Sequence, residues 1–186
     1  MARLTGRSFR EGLARGLLAW CLASVASAQQ PTEYQVKAAY LFNFGQFVEW
    51  PAGAYDSPAA PFAICIVGDD PFGSTIDEVV RGESVNGHQL VIRRFKQGEV
   101  IAGCNILFIG RSEATNLERT LGALRGRNIL TVTDSTGAES RDAIIVLFTE
   151  HNRIRMRINL AAARANNLVI SSKLLRPAEV VGNGDG

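Results

Sequence analysis

The chain has 186 residues, is 46% hydrophobic and 20% charged, and carries a formal charge of +2. This balance excludes a disordered or collagen-like chain, and the length suits one domain. The net charge does not mark a nucleic-acid binder, because the basic excess sits in the first 28 residues.

Residues 1–15 hold Arg3, Arg7, Arg10 and Arg15 against Glu11 alone. An apolar run from Gly16 to Val25 follows and ends in Ala26-Ser27-Ala28. Basic head, short apolar middle and small-residue cut predict a secretory signal peptide cleaved after Ala28. The run is too short to span a bilayer at about 20 residues, so an uncleaved anchor is the weaker alternative. A lipoprotein signal would want a small residue where Trp20 precedes Cys21. Removal of the leader lowers the basic count from 20 to 16 and the acidic count from 18 to 17, which leaves a mature chain near −1.

The mature chain keeps Cys65 and Cys104, each in or beside an apolar run. An even pair in an exported chain points to a disulfide, and two buried free thiols are the alternative. A bridge closing this loop would contribute about 4 kcal/mol on the chain-entropy model.

In chain order, Glu33 to Val48 reads as a helix with Thr32 as N-cap and with Val36, Tyr40, Leu41, Phe44, Phe47 and Val48 on its apolar face. After a Pro/Ala/Ser-rich loop, Phe62 to Val67 is a strand buried on both faces. Asp70 and Pro71 suit the cap and first position of a helix running to about Arg81. Asn86-Gly87 turns the chain into a strand, Gln89 to Phe95. Asn105 to Ile109 is a second buried strand, and Ser112 caps a helix to Leu124. Asn128 to Thr133 is a third, closed by a turn at Asp134-Ser135. Ala143 to Phe148 and Arg153 to Ile158 form a hairpin with Thr149 to Asn152 as its loop. A helix over 160–165 capped by Asn159, a strand over 168–170 and a last helical piece from Ser171-Ser172 follow. The tail 182–186 is expected to be disordered. Strands alternating with helices predict an α/β fold, and the hairpin makes its sheet mixed.

Three predicted strand ends carry polar clusters: Asp69-Asp70, Arg111-Ser112 and Asp134-Ser135. Ligands of open α/β sheets favour such ends. A receiver domain with a phosphorylated aspartate would place acids and a hydroxyl this way, but no lysine matches it. Helix caps and a turn account for the same residues. His88 and His151 fall in loops without the partners that catalysis or a metal requires. The chain therefore reads as non-enzymatic and without cofactor or metal, a hydrolase using either histidine being the minor alternative.

The charge distribution is more telling. Residues 151–186 hold Arg153, Arg155, Arg157, Arg164, Lys173 and Arg176 against two acids, while the rest of the mature chain is acidic. The three arginines of the predicted strand share one face. A solvated hairpin explains such a stripe, and an acidic partner surface or a small anionic ligand is the functional alternative.

Four strings resemble the YfiR-like family: Glu33-Tyr34-Gln35-Val36-Lys37-Ala38-Ala39-Tyr40-Leu41-Phe42-Asn43-Phe44 into Phe47-Val48-Glu49-Trp50-Pro51, then Gly68-Asp69-Asp70-Pro71-Phe72-Gly73, then Cys104-Asn105-Ile106-Leu107-Phe108-Ile109-Gly110, and Ile158-Asn159-Leu160 with Ile170-Ser171-Ser172-Lys173-Leu174-Leu175. The resemblance implies a periplasmic, non-enzymatic protein of compact α/β fold. It implies binding to the periplasmic domain of an inner-membrane diguanylate cyclase, which is thereby held inactive. It further implies sequestration by an outer-membrane lipoprotein, a tendency to homodimerise and a state that depends on disulfides. Cys65 and Cys104 match one family cysteine pair; the second pair of some members has no counterpart here.

Overall fold

The computed structural model describes residues 31–182 except Asp56. The predicted leader with its cut after Ala28, and residues 183–186 of the predicted disordered tail, lie outside the described residues.

Helix α1 (Glu33–Phe47) opens on a capping box. The Thr32 hydroxyl accepts from the Gln35 N–H, and the Gln35 side chain accepts from the Thr32 N–H. Its buried face is Lys37, Ala38, Leu41, Phe44 and Gly45, rotated from the predicted one. Val36, Tyr40 and Phe47 are only half-buried. Gly45 lets the helix approach closely, since a Cβ there would stand 2.9 Å from Val85 Cγ2. Val48 leaves the helix and pairs in strand β1 (Val48–Glu49).

Strand β2 (Phe62–Val67) is buried along its whole length. Helix α2 (Ser74–Val80) starts later than predicted, with Gly73 and not Asp70 as N-cap. Strands β3 (Ser84–Val85) and β4 (His88–Phe95) turn at Asn86-Gly87, where both φ values are positive as a two-residue type I′ turn requires. Strand β5 (Ile106–Ile109) leads into a 3-10 turn over Arg111–Asn116 and then α3 (Leu117–Leu124), in place of one continuous helix. Strands β6 (Leu130–Thr133), β7 (Ile145–Glu150) and β8 (Arg153–Asn159) follow. The β7–β8 loop is shorter than predicted: only His151 and Asn152 turn, at φ 48° and 60°. Helix α4 (Leu160–Ala165), strand β9 (Val169–Ile170), helix α5 (Ser172–Leu175) and strand β10 (Glu179–Val181) complete the chain. Asn159 and Ser171 cap α4 and α5 as expected.

Eight strands form one mixed sheet in the order β10-β8-β7-β6-β5-β2-β4-β3, and β1 pairs antiparallel with β9 apart from it. The five strands from β4 to β7 are mutually parallel; β8 and β3 run against their neighbours, and β10 runs with β8. Alternate residues of β2 supply two cores. Phe62, Ile64 and Ile66 pack on the side of α1, α2 and α5, whereas Ala63, Cys65 and Val67 pack on the side of α3. This is the α/β mixed sheet with an antiparallel hairpin that the alternation of elements predicted.

Cys65 and Cys104 are disulfide-bonded, with Cα atoms 5.8 Å apart. The bridge ties the second core's central strand to the segment that enters β5. Removing a native disulfide from a small secreted domain costs about 2–5 kcal/mol. Reduction, or Cys65→Ser with Cys104→Ser, is therefore expected to lower Tm by roughly 5–15 °C in a calorimetric scan; an unchanged Tm would show that the bridge contributes nothing.

Candidate functional site

The chain passes from β2 to β4 on one side and then returns to β5 on the other, so the topological switch lies between β2 and β5. Open α/β sheets bind ligands outside the strand ends at such a point. Here the protein fills it. Ser112 Oγ accepts from the Asp69 N–H at 2.9 Å and does not cap its own helical turn. Gly68 sits at φ +87°, and a Cβ there would stand 2.5 Å from that hydroxyl oxygen.

The polar centre of this end lies one strand over, beneath α1. Asp134, at the end of β6, is 1% exposed, and Lys37 is fully buried. Lys37 Nζ lies 2.7 Å from Asp134 Oδ2 and 2.5 Å from Glu33 Oε1. The same Oδ2 accepts from the Tyr34 hydroxyl at 3.0 Å. Arg111 Nε donates to the Asp134 carbonyl at 3.2 Å, and its guanidinium reaches Glu33 at 3.4 Å. Two cations and two carboxylates thus cancel around one buried oxygen. Desolvation makes such a cluster tolerable only when complete. The second oxygen, Oδ1, is buried without a hydrogen-bond partner among the described residues.

The Lys37 ammonium, by hydrogen bond and by charge, and the Arg111 guanidinium hold the Glu33 carboxyl below its ordinary range, against a smaller opposing effect of burial. Burial first, and then the Asp134 carboxylate, push the Tyr34 phenol up to about 12.

Asp70 accepts from the Phe72 N–H at 2.8 Å and from Arg94 Nε at 2.7 Å. The Arg94 fork also grips Asp77, at 2.6 Å, and the Gly73 carbonyl, so it clamps α2 to β4. Its hydrogen bonds hold the Asp77 carboxyl below its ordinary range. Ser135 donates to Glu139 at 2.7 Å.

The six predicted basic residues are spread over three elements. Arg153, Arg155 and Arg157 share the face of β8 opposite Ile154, Met156 and Ile158, which enter or pack against the α1-side core. Arg155 lies 3.8 Å from Glu150, and Arg157 binds Glu179 of β10 at 3.1 Å. Arg164 of α4 donates to the Gly182 carbonyl, and Lys173 of α5 stands over the Phe47 ring at 5.5 Å. Arg176 is exposed just past α5. His151 is exposed in its turn. His88 is not in a loop: it begins β4, half-buried, stacked on Tyr55 with ring centroids 3.9 Å apart and with Nδ1 2.6 Å from the Ala60 carbonyl.

The expectation that no lysine matches the receiver-like set of strand ends is corrected at Asp134. Lys37 does so from 97 positions away. Its signal was present, because Lys37 stands one and two turns before Leu41 and Phe44 on the helix. A charged residue on that stripe must carry a partner. A phosphorylated-aspartate reading nevertheless gains nothing, since the carboxylate is enclosed.

The fold and this site define a mixed-sheet α/β domain whose carboxyl-end ion pairs hold its elements together. The chain belongs to the YfiR/HmsC-like family, whose model matches residues 34–179, from the first turn of α1 to the first residue of β10. The family is one of regulatory, non-catalytic proteins linked to membrane diguanylate cyclases. No curated protein matches the chain. No described helix is long and apolar enough to cross a membrane.

Lys37→Met leaves the Asp134 carboxylate buried against fewer partners and is expected to cost about 3–5 kcal/mol in urea unfolding. Lys37→Met with Asp134→Leu is expected to be more stable than the single variant. If the two are additive, the pair is not a unit.

The titration signs follow from the same cluster. A depressed carboxyl such as Glu33 contributes stability above the ordinary value of about 4.3 and loses it as pH falls through its folded value. A raised phenol contributes below its ordinary value of about 10, and that contribution is lost as pH climbs toward 12. Ultraviolet titration is expected to show one tyrosine ionising late, absent in Tyr34→Phe. Glu33→Gln is expected to lose less stability than wild type on going from neutral pH to about 3.5.

Proposed function

We propose that the mature chain, residues 29–186 after cleavage behind Ala28, works in the periplasm as a binding regulator. It represses an inner-membrane diguanylate cyclase by contact with the cyclase's periplasmic domain, and an outer-membrane lipoprotein relieves the block by sequestering it. A homodimer is the form in which it circulates. The family match over residues 34–179 carries this reading.

Physically, such a repressor needs only to prefer the inactive cyclase. Shifting a two-state enzyme from mostly active to mostly inactive takes about 10⁴-fold differential binding, about 5.5 kcal/mol. The β8 face offers charge for that contact. Arg153 makes no ion pair among the described residues, and Arg155 has only a long one to Glu150. Exposed guanidiniums of this kind set partner choice and association rate more than affinity.

The test is titration of the oxidised mature chain against the host's diguanylate cyclase periplasmic domains, expressed one at a time. One of them is expected to bind in the micromolar range or tighter. Arg153→Glu with Arg155→Glu is expected to weaken that complex about tenfold or more, without lowering Tm. Deletion of the gene is expected to raise cyclic di-GMP. Absence of binding to every such domain, with cyclic di-GMP unchanged, would overturn the reading.

A further inference from the structure

The end of the sheet opposite the charge cluster is built differently. There, on the α3 side, a pocket of about 330 Å³ opens between the loop that precedes β2 and the segment that enters β5. Its walls are preformed. Asn105, 3% exposed, accepts from the Ala63 N–H at 2.9 Å and donates to the Ala54 carbonyl at 3.2 Å, so it pins both walls to β2. Arg93 of β4 donates to the Gly103 carbonyl at 2.8 Å. The disulfide anchors the rest, and Cys104 itself lines the pocket.

Two features of the lining point to a ligand. Arg93 and Arg127 both face this pocket, neither is ion-paired among the described residues, and no described lining residue is acidic. Three other guanidiniums near strand ends have carboxylates: Arg94 has Asp70 and Asp77, Arg111 has Glu33, Arg157 has Glu179. The remaining wall is apolar and aromatic, with Ile101, Ile129 and Tyr55. The Tyr55 hydroxyl is buried without a hydrogen-bond partner among the described residues. A concave site with an apolar wall and a few convergent donors is the usual form of a small-molecule site.

We propose that this pocket binds a small organic carboxylate with an apolar body, its carboxylate between Arg93 and Arg127 and its body against Tyr55 and Ile101. Guanidinium forks match carboxylates in geometry as well as charge. A ligand seated there also covers Cys104, which is 8% exposed whereas Cys65 is fully buried. Occupancy and reduction of the disulfide are therefore coupled: the bound body covers the more exposed of the two bridged residues. The site stands independently of the repressor reading.

The test uses the oxidised mature chain in calorimetric titration with acetate, benzoate and cyclohexanecarboxylate, with benzamide as the uncharged control. Benzoate and cyclohexanecarboxylate are expected to bind one to one, with acetate and benzamide about tenfold weaker or more. Arg127→Gln, whose side chain ties down no other element, is expected to weaken benzoate about tenfold while leaving the unliganded melt in place; Arg176→Gln is expected to bind as wild type. Saturating benzoate is expected to slow reduction by dithiothreitol in proportion to occupancy. Failure of all three carboxylates at millimolar concentration, equal binding by benzamide, or equal binding by Arg127→Gln would each overturn the proposal.

Discussion

The contact on which the carboxyl-end architecture depends is the buried pair Lys37–Asp134. It joins the first helix to the end of a central parallel strand, and neither side chain meets water. Such a pair adds little net stability compared with well-packed hydrocarbon, because both ions lose their hydration. Its effect is on register. With Lys37 in place, α1 cannot rotate or slide along the sheet without leaving a carboxylate uncompensated. The flanking groups share the constraint: Tyr34 and Arg111 bind the same acid, and Glu33 binds both cations. A hydrophobic helix face alone would tolerate neighbouring registers, since apolar contact has no direction.

That constraint decides what the carboxyl end of the sheet is for. The position that α/β folds usually leave open for a ligand is closed by Ser112 and Gly68, and two acids near it, Asp70 and Asp134, are bound to arginine and lysine. This end therefore serves to position elements. The arginine face of β8, by contrast, lies at the surface.

The two ends of the sheet are unequal in charge for a covalent reason as well. At the amino end the segment entering β5 is held by the disulfide, by Asn105 and by Arg93. Covalent and backbone ties do the work that ion pairs do at the other end, so Arg93 and Arg127 need no carboxylate to keep the fold together. The Arg127 side chain, which the fold does not consume, remains available for something else.

Much of this was legible in the residues. Unbroken apolar runs such as Phe62–Val67 and Ile106–Ile109 could only be strands covered on both faces, and alternation at Arg153–Ile158 could only be a strand with one polar side. Capping at Thr32, Asn159 and Ser171 is local, because each cap bonds within three residues of itself. Asp70 and Ser112 look like caps by the same logic and are not, because Arg94 and the Asp69 amide reach them across the sheet. Strand β10 has no signal of its own: three residues become a strand only because β8 presents a free edge. The sequence by itself determined most of the secondary elements, the two-sided core and the family. Only the tertiary structure decided which charges meet, since Lys37 and Asp134, or Arg93 and Arg127, lie far apart along the chain, and a pattern with a period of two or 3.6 residues carries no information about pairs so distant.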